Sequence, residues 1–307
     1  MKTGMSELSR QWVRAMREGD YELAWAVSEQ VLKVRGANGP ADGLPVHLRR
    51  IWDGRSFEGK RILVRCYRGL GDTIQFARYL PLLSARAGSM TIEVQPRLFD
   101  LLRPLAGKDE LIPYDPANPL NASECDMEIT ELAFALRATP AETPPPYLHA
   151  PASPAAAGAI GICYRSGDWD KARSVPEQCF RSICTAQPCV ILVSEPTDLP
   201  VRNPEGCPFD METTASLVAG VDLVVTVDTM IAHLAGAMGK PTWLLLKAEP
   251  DWRWSPGEAS SPWYPSMRLY SQSQPGDWGD VMSRVERDLT TRMERRRASE
   301  PANDLFA

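Results

Sequence analysis

Two neighbouring polar residues, Asp228 and Thr229, stand where an apolar run gives way to a run of small residues. Residues 223–227 are mostly apolar and β-branched, which is typical of a buried parallel strand. Residues 230–238 follow as a helical pattern that Gly239 can end. A strand that leads into a helix N-terminus is a common place for an anionic ligand in α/β domains. The pair could therefore bind phosphate, or it could simply cap a packed helix.

A histidine lies one turn into the same helical pattern. His233 falls on the face that also carries Met230 and Ala237. Its imidazole could hydrogen-bond to a phosphate oxygen or to a ribose hydroxyl. Together with the hydroxyl and the backbone amides of the junction, these residue types suit a nucleotide.

A second junction of the same kind occurs earlier in the chain. Residues 61–67 predict a strand, and a helical pattern begins at Thr73, after a turn that contains Gly69 and Gly71. These glycines permit positive φ and the close approach of a ligand. Asp72 could cap the helix, or its carboxylate could act as a general base in a cleft. Two such junctions, far apart in one chain, predict two Rossmann-like domains that face each other.

Three blocks, taken together and in order, resemble the ADP-heptose:lipopolysaccharide heptosyltransferase-like family, glycosyltransferase family 9. The likeness is greatest to the branch that is often fused to tetratricopeptide repeats. The blocks are GLGDTIQFARYLP at 69–81, DT with AHLAGA at 228–237, and DWRW with SPWYP at 251–265. The likeness runs from about residue 47 to about residue 285. It implies a GT-B fold, inverting sugar transfer and no metal requirement.

The resemblance also implies roles for single residues. Asp72 is expected to deprotonate the acceptor hydroxyl. The Asp228-Thr229 pair and His233 are expected at the donor nucleotide. In the loop after the first strand of the second domain, Lys171 and Arg173 match a basic region that reaches the donor phosphates in relatives. An exposed charged loop is the alternative for these two cations.

Further candidates surround the predicted cleft. Arg165 is another loop cation, and Glu195 follows a strand at a position suited to contact the base or ribose. On the acceptor side, Gly69 and Gly71 line the turn, and Arg68 could select an anionic acceptor. Arg165 and Glu195 could equally be solvated loop residues.

Two features leave alternatives open. The family often has glycine where this chain has Met230, and a side chain there could narrow the donor pocket. The aromatic residues of the third block could stack on a sugar or a base, or they could pack a proline-rich loop. We favour packing, with Asp251 and Arg253 paired to order that loop.

The composition limits the function classes. A chain of 307 residues is long enough for two domains with full cores. The net charge of -5 argues against a nucleic-acid-binding protein. Seven cysteines without a CxxC pair, and three histidines, predict no zinc site and a reducing compartment. No apolar run approaches the ~20 residues that a membrane span needs, so we expect a cytoplasmic protein.

The chain divides into three predicted parts. Residues 1–45 carry a helical pair interrupted at Gly19, which resembles one degenerate tetratricopeptide-like pair. Residues 46–150 form a Rossmann-like acceptor domain. Residues 151–307 form a Rossmann-like donor domain with a closing helix, which in GT-B proteins returns to the first domain. Predicted strands are 62–66, 90–95, 111–114, 127–129, 159–164, 190–194, 223–227 and 242–246; predicted helices are 73–87, 97–105, 176–185, 213–219, 230–238 and 278–297.

The sequence thus predicts an α/β protein of GT-B fold that transfers a sugar without a metal or other cofactor. The donor is expected to be a nucleoside-diphosphate sugar, with ADP-heptose the family default, and the acceptor a bacterial glycan or a protein. One alternative is a binding or scaffold protein that has kept the fold and lost catalysis. Another is a different nucleotide-sugar enzyme such as an epimerase, against which stands the lack of a dinucleotide GxGxxG motif.

Overall fold

The computed structural model describes residues 2–37, 51–118 and 120–299. It begins with the predicted helical pair, α1 (Lys2–Glu18) and α2 (Tyr21–Ala37). Gly19 turns the chain between them with a φ of 73°, which the left-handed region allows glycine at little cost. The predicted boundary between residues 45 and 46 lies outside the described residues.

The first sheet is parallel, with strand order β3-β2-β1-β4. Its strands are short, and β1 and β2 are mostly buried because helices cover the sheet. The strands are β1 (Arg61–Arg65), β2 (Ser89–Val94), β3 (Glu110–Pro113) and β4 (Cys125–Glu128). The helices are α3 (Leu70–Phe76), α4 (Leu80–Ser84), α5 (Phe99–Ala106) and α6 (Leu132–Leu136).

The second sheet is also parallel, with strand order β6-β5-β7-β8-β9. Its two central strands, β7 and β8, are buried along their whole length. The strands are β5 (Ile160–Cys163), β6 (Cys189–Ile191), β7 (Leu223–Val227), β8 (Thr242–Leu246) and β9 (Met267–Ser271). The helices are α7 (Arg181–Ala186), α8 (Met211–Gly220), α9 (Met230–Ala237) and α10 (Trp278–Ser299).

The predicted helix 73–87 is divided in the structure. A 3₁₀ turn, Ala77–Tyr79, separates α3 from α4. Pro81 follows directly, within the first turn of α4. Backbone N–H groups of a first turn have no partner inside the helix, so the N–H that proline lacks is not missed there. In the middle of one long helix, Pro81 would remove a hydrogen bond. The break lets the chain change direction beneath the first sheet.

The two domains contact each other close to α3 and α9, the helices that follow β1 and β7. Arg78, only 1% exposed, reaches from the first domain to the second and donates to the carbonyl of Trp263 at 3.0 Å. Its guanidinium also lies 4.9 Å from the ring centre of Tyr264. Because α3 packs directly on α9, the two predicted junctions come together.

The terminal helices differ in what they contact. From α1, Arg17 donates to the carbonyl of Pro250 in the second domain at 2.7 Å, while Trp25 of α2 packs on Phe134 of the first domain. The helical pair therefore bridges both domains. Helix α10 packs on β9, and its Arg284 donates to the carbonyl of Ser271 at 2.6 Å. It thus covers the second sheet, where we had expected it to return to the first domain.

Candidate functional site

The two junctions predicted from the sequence touch each other. A Cβ atom added to Gly71 would lie 2.7 Å from Cδ2 of His233 and 3.4 Å from Cα of Met230. The first distance is closer than carbon atoms can approach, so this contact requires glycine. The turn that carries Asp72 therefore rests on the first turn of α9.

A cavity of about 440 Å³ opens beside this contact, between the domains. It is bounded by the carboxyl ends of strands from both sheets, which is where α/β folds bind ligands. Nine residues singled out from the sequence line it. They are Gly69, Gly71, Asp72, Arg165, Arg173, Glu195, Asp228, Thr229 and His233. We call this space the donor cavity.

Two other sequence candidates lie elsewhere. The side chain of Lys171 is 78% exposed and pairs with Asp168 at 3.5 Å, and it is absent from the lining of the donor cavity. Arg68 lines a different cavity, described below, and its Nε lies 3.4 Å from a carboxylate oxygen of Glu128. The structure therefore gathers most, but not all, of the predicted residues.

At the end of β7, Asp228 is nearly buried and serves as a scaffold for the loop cation Arg173. Arg173 donates to the backbone carbonyl of Asp228, and the two side chains are 3.8 Å apart. Burial raises the pKa of the Asp228 carboxyl, the neighbouring Asp251 carboxylate raises it further, and Arg173 opposes both. The guanidinium is thereby fixed at the wall of the donor cavity.

Helix α9 starts with Thr229 as its N-cap. The hydroxyl of Thr229 accepts from the backbone N–H of Ile231 at 3.3 Å, which satisfies one of the free donors of the first turn. The positive end of the helix dipole faces the cavity that Thr229 and Met230 line. Met230, which stands where the family often has glycine, is among the residues that line this end.

His233 is held as a neutral group. Its Nδ1 lies 3.0 Å from the hydroxyl of Tyr264, and its ring stacks on Trp254 at 5.8 Å between centres. Burial lowers the pKa of His233 well below its ordinary value, and the charges of Arg253 and Arg78 lower it further. At neutral pH it can offer a hydrogen bond to a ligand, but no positive charge.

The far end of the donor cavity is more exposed. Arg165 pairs with Glu195 at 3.1 Å, with both side chains about half exposed. Across the opening, the guanidinium of Arg97 from the first domain lies 3.6 Å from the ring centre of Phe209 from the second. Phe209 is 71% exposed, so one face of a flat ring is available to a ligand.

Asp72 is bound by partners from both domains. Its Oδ2 accepts from the backbone N–H of Gly69 at 3.1 Å, and its Oδ1 accepts from Arg253 of the second domain. The same guanidinium donates to Gln75 and, at 2.8 Å, to Asp251. The expected Asp251–Arg253 pair is present, and it extends across the cleft to the candidate base.

A second cavity, of about 380 Å³, meets the first at this point. Its walls come from α1, α2, the first domain and two loops of the second domain, and they are rich in aromatic rings. Residues that line both cavities are Asp72, Trp169, Asp251 and Arg253. We call this second space the helical-pair cavity.

The aromatic residues of the third block divide between packing and exposure. Trp254 and Tyr264 are 0% exposed and Trp263 is 2% exposed, which confirms packing as their main role. Trp252 lines the helical-pair cavity and makes an edge contact with Trp12 of α1, with ring centres 4.8 Å apart.

Two features are absent from the described residues. Within that part of the chain, no group of three or more His, Cys, Asp and Glu side chains is placed to hold a metal ion. Nor does any described helix combine the length and apolar character needed to cross a lipid bilayer.

The sequence did not point to every residue at the site. Arg97, Trp169 and Phe209 were missed. Arg97 follows β2 at the carboxyl end of a strand, a position that could have marked it. Trp169 and Phe209 are exposed aromatic residues in irregular segments, and no spacing distinguishes them from other loop residues.

Part of the chain matches a family of known proteins. Residues 207–277 match the model of glycosyltransferase family 9 (heptosyltransferase). The chain is also 26% identical over 283 residues to Protein FlbA of Caulobacter vibrioides (strain ATCC 19089 / CIP 103742 / CB 15), covering 76% of this chain and 47% of that protein. It therefore spans about half the length of this curated relative.

Solved structures show the same fold at low identity. A glycosyltransferase family 9 protein from Veillonella parvula DSM 2008 aligns with a TM-score of 0.52 and 13% identity, covering 78% of this chain and 90% of that one. Escherichia coli ADP-heptose LPS heptosyltransferase II aligns with a TM-score of 0.53 and 14% identity, covering 77% and 99%.

A third neighbour is the glycosyltransferase TibC of enterotoxigenic E. coli H10407, described as iron-containing and dodecameric. It aligns with a TM-score of 0.54 and 14% identity, covering 73% of this chain and 66% of that one. The chain has the GT-B-like α/β fold with an added helical pair. The family segment and this fold together support a glycosyltransferase.

Proposed function

We propose that the protein transfers a sugar from a nucleoside-diphosphate sugar to an acceptor hydroxyl, with inversion and without a metal ion. The observation that carries the proposal is the contact of Gly71 with His233 and Met230. It sets the candidate base Asp72 beside the helix N-terminus where a diphosphate would lie. Donor and acceptor would then meet within reach of one carboxylate.

The donor cavity suits a nucleotide sugar. Its 440 Å³ falls within the range of ligand pockets, roughly 300–1,000 Å³. The dipole of α9 and Arg173 would stabilise the diphosphate, while Glu195 and Phe209 lie toward the base or ribose. We propose ADP-heptose as the first donor to test, because a neighbour of the same fold is named for that substrate.

The reaction would be a single displacement. The acceptor hydroxyl loses its proton to Asp72, its oxygen bonds to the anomeric carbon, and the bond from that carbon to the diphosphate oxygen breaks. The leaving diphosphate takes the bonding electrons, and the positive end of α9 with Arg173 stabilises its charge. Inversion follows because attack and departure occur on opposite faces of the sugar.

The acceptor would enter through the helical-pair cavity. This space also borders Asp72, and its aromatic and polar lining is compatible with a glycan or with a peptide side chain. The helical pair would then act as an acceptor module of the tetratricopeptide-associated kind. We propose a cytoplasmic location, where nucleotide sugars are available.

Calorimetric titration with ADP, UDP and GDP tests the donor class. We expect one nucleotide to bind with equal affinity with and without EDTA. Thr229→Ala should weaken that binding, because the helix loses its cap beside the phosphates. Ser216→Ala, on α8 away from the cavity, is the matched control. Binding that EDTA abolishes would contradict metal independence.

A binding or scaffold protein is the second candidate. Both carboxylate oxygens of Asp72 are already engaged, and Met230 lines the phosphate end of the donor cavity. Nucleotide binding without transfer to any acceptor in a broad glycan and peptide screen would favour this function. Release of nucleoside diphosphate that depends on an acceptor would exclude it.

A further inference from the structure

Arg253 occupies an unusual position between the two cavities. It belongs to the second domain, and its side chain is only 10% exposed. Yet its guanidinium donates to Asp72 and Gln75 of the first domain, as well as to Asp251. The contact to Asp72 therefore links the domains at the candidate base.

Because of this contact, each of the two carboxylate oxygens of Asp72 accepts a hydrogen bond. Oδ2 accepts from Gly69 at 3.1 Å and Oδ1 accepts from Arg253. A carboxylate that is to take a proton must present a lone pair to the acceptor hydroxyl. The pair with Arg253 occupies the oxygen that faces the second domain.

The surroundings of Arg253 offer it an alternative partner. The residue lines the donor cavity together with Thr229 and Met230. Asp228 and His233, which lie at the start of α9, line the same cavity. A guanidinium presents a planar fork of donors that matches phosphate oxygens, and a diphosphate is a stronger partner than one carboxylate.

We propose that Arg253 is a positioning residue that couples donor binding to release of the base. Arg253 pairs with Asp72 as described; when a nucleoside diphosphate binds, Arg253 turns to the diphosphate and frees Oδ1 for the acceptor hydroxyl. The donor therefore binds before the acceptor can be deprotonated. This inference rests on the proposed function, because it assumes a diphosphate in the donor cavity.

The test measures affinity for ADP, UDP and GDP by calorimetry in the whole protein. Variants are Asp72→Asn, Arg253→Gln and the double variant. Asp72→Asn removes the competing charge, so the nucleotide that binds should bind about fivefold tighter or more. Arg253→Gln should weaken binding, and adding Asp72→Asn to it should restore nothing. Asp100→Asn, an exposed first-domain acid paired with Arg103, should have no effect.

Two further measurements keep the outcome clear. The corresponding monophosphate should gain less from Asp72→Asn, because it lacks the second phosphate. Arg253→Lys keeps a charge but loses the fork, so the gain from Asp72→Asn should shrink in that background. If Arg253→Gln shows no cooperative thermal transition and is therefore not folded, Arg253→Lys takes its place in the test.

Two outcomes would overturn the inference, and they differ from each other. If wild type binds a nucleotide but Asp72→Asn binds no tighter, or gains equally without Arg253, the coupling is wrong and the donor class stands. If no nucleoside diphosphate binds any variant, the coupling and the proposed function both fail.

Discussion

Each of the two strand–turn–helix junctions carries an acid, but Asp228 precedes the N-cap of α9 whereas Asp72 lies in the first turn of α3. At the β7–α9 junction, Asp228 has a side chain 10% exposed and interacts mainly within its own domain. At the β1–α3 junction, Asp72 is 28% exposed and is paired across the cleft. Burial makes Asp228 part of the scaffold, whereas Asp72 is more exposed and its charged partner belongs to the other domain. The same local pattern thus yields a fixed wall and a movable partner.

Of the substitutions at the two junctions, Asp72→Asn should reduce activity the most. Acceptor-dependent release of nucleoside diphosphate should fall by about a hundredfold or more, because the general base is removed. Nucleotide binding should persist. The measurement is the initial rate of nucleotide release with the donor that binds. Turnover close to that of wild type would remove Asp72 from the mechanism.

Gly71→Ala tests the contact between the junctions. The added Cβ would overlap His233, which is fixed by Tyr264 and Trp254, so the turn or α9 must shift. We expect a loss of about 1–3 kcal/mol in the free energy of unfolding, and weaker nucleotide binding. Gly167→Ala is the control, since its Cβ would meet the nearest atom at 3.5 Å. Equal melting temperatures for both variants would argue against a tight contact.

Glu128, at the end of β4, is a third acid of the site region and is fully buried. Burial raises the pKa of Glu128 to about 7. A raised carboxyl pKa means that its contribution to stability is present below the unfolded value near 4.5 and is lost as the pH rises toward 7. Glu128→Gln should therefore reduce the difference in unfolding free energy between pH 5 and pH 8, by on the order of 2 kcal/mol. Denaturant titrations at both pH values measure this; an unchanged difference would refute the pKa shift.

Tyr264→Phe should have the smallest effect. It removes the hydroxyl that lies 3.0 Å from Nδ1 of His233 and leaves the ring in place. We expect a loss of about 1 kcal/mol in stability, with nucleotide affinity reduced less than in Gly71→Ala. Thermal melting and calorimetry on the same samples separate the two effects. If the free energy of nucleotide binding falls by more than the free energy of unfolding, the orientation of His233 serves binding more than packing.

The local pattern was sufficient for the buried strands and the junctions. Strands β7 and β8 match their predicted limits because continuous apolar runs between turns mark a strand buried on both faces. Strand β9 was missed, since it follows an aromatic and proline-rich block that gave no strand signal. The division of α3 from α4 depends on Pro81 and on packing beneath the sheet.

The contacts of the site depend on tertiary structure that no spacing encodes. Arg253 and Asp72 are 181 positions apart in sequence. The pair of Asp251 with Arg253 was expected from their proximity in the chain, but its extension to Asp72 was not. Likewise Lys171 matched a basic motif, yet the turn around it directs the side chain to solvent. Residue type identified the candidates, and domain packing decided which of them meet.

The bridge made by the helical pair has a consequence for the order in which the chain can be completed. Arg17 and its partner Pro250 are 233 positions apart. The hydroxyl of Ser255 also donates a hydrogen bond of 2.8 Å to the backbone carbonyl of Arg17. During synthesis α1 leaves the ribosome long before the segment on which it packs. The contact of Trp12 with Trp252 must therefore wait until most of the second domain has been made. The contacts of α1 with the second domain are thus a late event of folding, and they can form only after both domains have been made.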